Sequence, residues 1–246
     1  MKILQSEWLR CFFGGALFAL GFPSFLGPSL VITPILGYAL LFISLWKSRN
    51  NLKMLLFLAL SFSAGYDMVG FYWIGHTLHV FGEIPLFFSY ILNLLFALFI
   101  LPHAFVFALL LFMANKYFSD RLLKVPTEII MAIAASLLSY VEYITPQQFP
   151  VAIGQSWLPL GKYLGLAPVV GIQGFSLMSY LVALGLAQTY FTRRAPYRYL
   201  GYLLCFLTFN VLFPIESGRE HPDSSLQVRV VQANIGNLMK LSSEQG

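Results

Sequence analysis

From Cys11 to Trp46 the chain runs for 36 residues without one charged side chain. A hydrocarbon layer of about 30 Å asks for about 20 apolar residues per helical crossing, so this stretch is nearly long enough for two. Gly21, Pro23, Gly27 and Pro28 sit in its middle and favour a turn over one very long helix. It reads as a short first helix over 11–21 and a second over 29–46. Further apolar runs follow at 54–75, 86–113, 126–143, 164–191 and 199–215. The expected fold class is an all-α polytopic membrane bundle of about seven transmembrane helices. Hydrophobic residues make up 58% of the 246 and charged residues only 10%, against about a quarter charged in a soluble domain. That excludes a disordered chain and an ordinary cytosolic enzyme. Two cysteines, both in apolar runs, cannot frame a disulfide scaffold.

The charges that remain are informative by position. With the N-terminus placed in the cytoplasm, Lys2, Arg10, Lys47, Arg49, Lys53, Lys116, Arg121, Lys124, Arg193, Arg194 and Arg198 all fall in cytoplasmic segments, 11 of the 15 basic residues. The other side keeps Lys162 in a loop and Arg219, Arg229 and Lys240 in the tail. This is the alternation of the positive-inside rule, and gaining or losing one span would scramble it. A net charge of +5 therefore reports orientation, and no nucleic-acid partner is expected. Lys2 and Arg10 precede an apolar run as in a signal peptide, but no small-x-small cleavage site follows, so a retained anchor is expected.

After Ile215 the composition changes. Residues 216–225 form a polar linker, and Leu226-Gln-Val-Arg-Val-Val-Gln-Ala-Asn-Ile235 alternates as a β-strand does. One strand cannot satisfy its own edges, so it reads as the opening of a soluble domain. Two domains are expected: a helical bundle over 1–215, and a linker with that strand over 216–246.

Chemistry-bearing residues gather at the ends predicted to face outward. His76 and His79 are three apart with Glu83 four further on, a possible ligand spacing if the helix continues. Gly82 and Pro85 argue that it stops, so no metal is expected. Glu142, at the outer end of the fifth helix, is free to bind a polar group or to be solvated. The polar segment 143–163, with Phe149 and Gln155, is expected to dip into the outer interface. Asp67 lies inside the third apolar run and His103 inside the fourth, beside Pro102. An ionisable residue at membrane depth is a functional candidate, with a structural pair as the alternative. Glu128, just after Pro126, suits a helix start. Cys11 and Cys205 have no basic neighbour that would make a reactive thiolate. No cofactor motif appears.

Four stretches together carry a family likeness: Gly14-Gly-Ala-Leu-Phe-Ala-Leu-Gly-Phe-Pro23; Trp73 through His79 to Phe81-Gly82 and Pro85; Phe149-Pro150 with Gly154-Gln155-Ser156, Gly165-Leu-Ala-Pro168 and Gly171; and Val230-Val-Gln-Ala-Asn-Ile235 with Lys240. In this order and spacing the chain resembles the N-terminal part of the bacterial apolipoprotein N-acyltransferases. There are departures: Thr145-Pro146 follows Glu142-Tyr143-Ile144 where the family has arginine-glycine, and Gly236 stands where it has proline. The resemblance implies a multi-pass protein of the bacterial inner membrane with a periplasmic C-terminus, joined to a nitrilase-like α/β domain. It further implies a phospholipid acyl donor, a thioester on the cysteine of a Glu-Lys-Cys triad, and transfer to the diacylglyceryl-cysteine of a lipoprotein. No catalytic residue is assigned here, because only six residues follow Lys240. The chain is expected to stop as that domain begins and to be inactive alone. Trp73, His79, Glu83, Glu142, Phe149 and Gln155 are the expected substrate entrance. Two rival readings stand beside this one: a transporter or channel using Asp67 and His103, and an accessory bundle that pairs 226–235 with a partner.

A reporter enzyme fused after Ser225 is expected to be active only on the periplasmic side of the membrane. Activity confined to the cytoplasm would overturn the topology.

Overall fold

A computed structural model describes residues 7–22, 30–122, 125–147 and 149–213, with the side chains of 119–122 and 162 undescribed. The expected turn at 23–28 and the strand at 226–235 lie outside the described residues. Among those described, the fold is wholly helical: α1 (Glu7–Ala19), α2 (Ile32–Lys47), α3 (Leu52–Gly70), α4 (Tyr72–Val80), α5 (Leu86–Ile100), α6 (Pro102–Leu122), α7 (Thr127–Ile144), a 3-10 helix (Ile153–Tyr163), α8 (Ala167–Thr192) and α9 (Tyr197–Leu212).

Two expected helices prove to be pairs. The run over 54–75 ends at Gly70, where the Phe71 N–H closes onto the Asp67 carbonyl at 2.7 Å, and α4 starts afresh. The run over 86–113 breaks at Leu101, and α5 and α6 meet at a 50° bend. Pro102 explains the break, since it has no N–H to donate and its ring collides with the carbonyl four residues back. Asn51 starts α3 by accepting the Met54 N–H at 3.2 Å. Helix α8 is kinked at Gly171, whose φ of 59° is one that side chains with a Cβ rarely adopt.

By length and apolarity α3, α7 and α8 are each able to cross a membrane, and the bent pair α5–α6 makes a fourth candidate. Helices α1, α2 and α9, with 13, 16 and 16 residues, are shorter than the full crossing of about 20. The pattern of burial suits hydrocarbon. Helix α5 buries Ser89, Asn93 and Ala97 while exposing Phe87, Phe88, Leu94, Leu95 and Phe99. Helix α7 buries Ser139 and Glu142 and exposes Ile129, Ile133, Leu137 and Tyr140. Water would select the opposite arrangement, whereas lipid requires polar groups to face the interior.

Glycines pack α1 closely against α2 and α3. A Cβ built on Gly15 would lie 1.8 Å from the Phe62 carbonyl oxygen, one on Gly65 1.9 Å from that of Phe12, and one on Gly37 2.4 Å from that of Gly14. These helices touch backbone to backbone, the contact that small residues permit where lipid supplies no hydrophobic drive. Phe18, Tyr38, Phe62 and Tyr66 fill the space beside the contact, with ring centroids 4.9–5.9 Å apart.

Gly15→Ala and Gly65→Ala are each expected to lower the thermal melting point in detergent, at a cost of about 1–3 kcal/mol for a methyl group forced into a packed contact. Gly201→Ala, where a Cβ meets nothing within 4 Å, is expected to leave it unchanged or raise it slightly.

Candidate functional site

The end of α3 and the start of α4 carry aromatic side chains that meet the loop after α7. Phe149 packs on Phe71 at 5.2 Å, on Phe96 at 6.0 Å, and edge-on against Trp73 at 6.3 Å between ring centroids. Two segments far apart in sequence, one around Trp73 and one around Phe149, thus close into a single cluster. A groove of about 540 Å³ lies along the same α3–α4–α5 hairpin, lined by Met68, Tyr72, Leu86, Tyr90, Ile91 and Asn93. Its size falls within the range of ligand pockets.

Glu142 is the anchor of the loop. It is 3% exposed, which corrects the expectation of a solvated carboxylate. Its Oε1 accepts the Ile153 N–H at 2.8 Å and the Tyr180 hydroxyl at 2.6 Å. Its Oε2 accepts the Ser176 hydroxyl at 2.6 Å. Ser176 Oγ in turn accepts the Gly154 N–H at 3.0 Å, so the first amides of the 3-10 helix are capped from α7 and α8. Gly154 lets this happen, since a Cβ there would lie 2.3 Å from the Ile172 carbonyl oxygen. Gln155 Oε1 accepts the Ala152 N–H at 3.2 Å, and Gln147 bridges Glu142 O and Val151 N. Trp157 donates its indole N–H to Ser179 at 2.8 Å.

His79 is exposed, and its Nδ1 lies 2.8 Å from the Ile84 carbonyl, so it ties the end of α4 to the following turn. Glu83 falls beyond α4, exposed, with a φ of 52°. The helix does not continue, so His76, His79 and Glu83 do not share a helical face. Glu128 lies in the first turn of α7, the helix start expected for it; its carboxylate also pairs with Arg198 at the start of α9, and α7 has no side-chain N-cap.

The two intramembrane candidates belong to different pairs. Asp67 is fully buried and accepts the Asn93 amide at 3.3 Å. His103 is fully buried at the α5–α6 break, and its Nε2 lies 2.7 Å from the Tyr38 hydroxyl. Tyr38 meets Tyr180 edge to face at 5.1 Å, which sets the His103 pair beside the Glu142 network. Ser176, Ser179 and Tyr180 were not foreseen from sequence. Their spacing along α8 places them on one side of a helix, a signal that an otherwise apolar run could have yielded. Neither cysteine hydrogen-bonds a histidine among the described residues, and Cys11 is fully buried while Cys205 is exposed.

Residues 14–185 match the family described as the apolipoprotein N-acyltransferase N-terminal domain. The chain is also similar to a protein named apolipoprotein N-acyltransferase from Bdellovibrio bacteriovorus, with 30% identity over 201 residues. That alignment covers 76% of this chain and 35% of the relative. The chain thus spans about a third of the length of the curated relative it matches.

Glu142→Ala would strand the Ile153 amide and the Ser176 and Tyr180 hydroxyls, at about 1–3 kcal/mol for each buried group left unsatisfied. The expected result is a lower melting point together with faster proteolysis within 145–152. Unchanged protease resistance of that loop would remove Glu142 as its anchor.

Proposed function

Since the chain belongs to the apolipoprotein N-acyltransferase family through its N-terminal domain, we propose that residues 14–185 are the membrane module that receives lipid and lipoprotein for acyl transfer. The entrance is the end of the bundle where Trp73, Phe96 and Phe149 meet beside the groove of about 540 Å³. That convergence is the observation that carries the reading. An acyl chain needs an apolar groove open to lipid, and a rigid aromatic rim keeps a headgroup at the interface, where Trp and Tyr are favoured. Glu142 serves this entrance from beneath by holding the loop that delivers Phe149.

In this reading a cysteine thiolate attacks an ester of the phospholipid and expels a protonated lysophospholipid, leaving a thioester. The α-amine of a diacylglyceryl-cysteine then attacks that thioester, forming the amide, releasing the thiolate and losing the amine proton. The described bundle contributes binding and presentation. No member of a Glu-Lys-Cys triad is assigned to it. The helical bundle over 1–215, of which this module is the larger part, is read as crossing the bacterial inner membrane about seven times, with its N-terminus in the cytoplasm. Support comes from contacts that gather the basic gaps: Lys47 with Glu7 and Tyr190, Arg49 with Asn115, and Arg198 with Glu128. A conduit through Asp67 and His103 gains nothing from the geometry, because the two hydrogen-bond to different partners on different helices.

Purified residues 1–246 in neutral detergent are expected to bind a fluorescent diacylated lipopeptide without converting it to N-acylated product. Trp73→Ala combined with Phe149→Ala should weaken that binding about two- to tenfold, the scale of one aromatic pair. Binding indifferent to both substitutions, or accumulation of product, would overturn the proposal.

A further inference from the structure

The other end of the bundle carries a cluster that acyl transfer leaves unused. Helix α3 runs its 19 residues, about 28 Å, between the two ends. At the start of α3, away from the aromatic entrance, three cations from three segments surround one ring. Lys47, closing α2, has its Nζ 4.8 Å from the Tyr190 centroid and 3.0 Å from the Tyr190 hydroxyl. Arg10, in α1, has its Cζ 5.7 Å from the same centroid, and Arg193, just past α8, has its Cζ at 5.5 Å.

The charges do not balance. Glu7 pairs with both Arg10 and Lys47. Burial alone would raise the Glu7 carboxyl, but the Lys47 hydrogen bond and the Arg10 charge hold it below its ordinary value, so it stays ionised. One carboxylate faces three cations. The C-terminal end of α8 supplies the equivalent of about half a negative charge, which leaves a surplus of about one and a half. Like charges held this close repel, and an anion among them removes the cost. Arg193 is exposed, with a φ of 56°, and Lys47 and Tyr190 are also open to the outside. Trp8 and Trp46 are exposed on the same helix ends, and Arg49 stacks over Trp46 at 4.7 Å. Exposed tryptophans of this kind sit at the headgroup level of a bilayer.

We propose that Arg10, Lys47 and Arg193, gathered around the Tyr190 ring, bind the phosphate of an anionic phospholipid headgroup, at a site separate from the acyl-transfer entrance. The inference rests on the helices being embedded in lipid, and it is independent of the transfer reaction. The recognising chemistry is a phosphate oxygen shared by two guanidinium groups and an ammonium, with the lipid tails lying along the apolar flanks of α2 and α8. Basic pockets between helices on the cytoplasmic side are suited to such headgroups.

The test follows thermal melting of the purified chain in neutral detergent and low salt. Phosphatidylglycerol, phosphatidylcholine and sodium phosphate are titrated in parallel. Phosphatidylglycerol is expected to raise the melting point well above the effect of phosphatidylcholine. Lys47→Gln with Arg193→Gln should weaken that response about tenfold or more, while Lys53→Gln with Lys116→Gln, an equal loss of charge elsewhere, should retain it. If the first pair does not fold, Arg193→Gln alone is read in the same way, with a smaller loss expected. Equal responses to the two lipids would overturn the site, and so would equal losses in both variant pairs. A full response to sodium phosphate without lipid would assign the cluster to a free anion and overturn the lipid assignment.

Discussion

A carboxylate on a helix whose outward face is isoleucine, leucine and tyrosine has to find its hydrogen-bond partners within its own chain. Glu142 finds three, from the 3-10 helix and α8. The arrangement satisfies the acid, and it also satisfies two amides at the start of a helix that would otherwise be buried and unpaired. The loop from 145 to 152 is pinned at both ends as a result, and Phe149 is carried to Trp73. The candidate entrance therefore depends on a residue that does not line it. Removing the acid would disorganise a surface several residues away.

The same demand shapes the rest of the bundle. Asp67 with Asn93 and His103 with Tyr38 are polar pairs that link α3 to α5 and α2 to α6. With no gain from burying one apolar surface against another in lipid, such pairs and close backbone contact do the work that a hydrophobic core does in water. The glycines of α1, α2 and α3 provide the second kind of contact. The short α1 gains its place through backbone touching α3, despite offering only 13 residues.

The aromatic character of the candidate entrance was legible in the sequence, because Trp73 closes the outer end of an apolar run and Phe149 sits in a segment too polar to span. Their meeting was not, since the contact joins positions 76 residues apart. His79, Glu83 and Gln155, also expected at the entrance, each have a local role in the structure. His79 ties a helix end to its turn, Gln155 accepts a nearby amide, and Glu83 occupies a turn. Local polar residues at helix ends look alike in sequence whether they face a ligand or their own backbone, because both uses call for the same donors and acceptors.

Sequence alone determined that this chain is a set of apolar helices interrupted by Gly and Pro, with basic residues in alternate gaps. Hydropathy, proline and charge act locally, and each can be read without knowing what lies next to what. It also carried the family likeness, since the order of motifs survives in one dimension. The tertiary structure decided that Pro102 splits a run into two bent helices. It also decided that Glu142 is buried and that three cations share one tyrosine ring. The physical reason is the same in each case: burial and charge pairing are properties of neighbours in space, and those neighbours come from helices far apart in the chain.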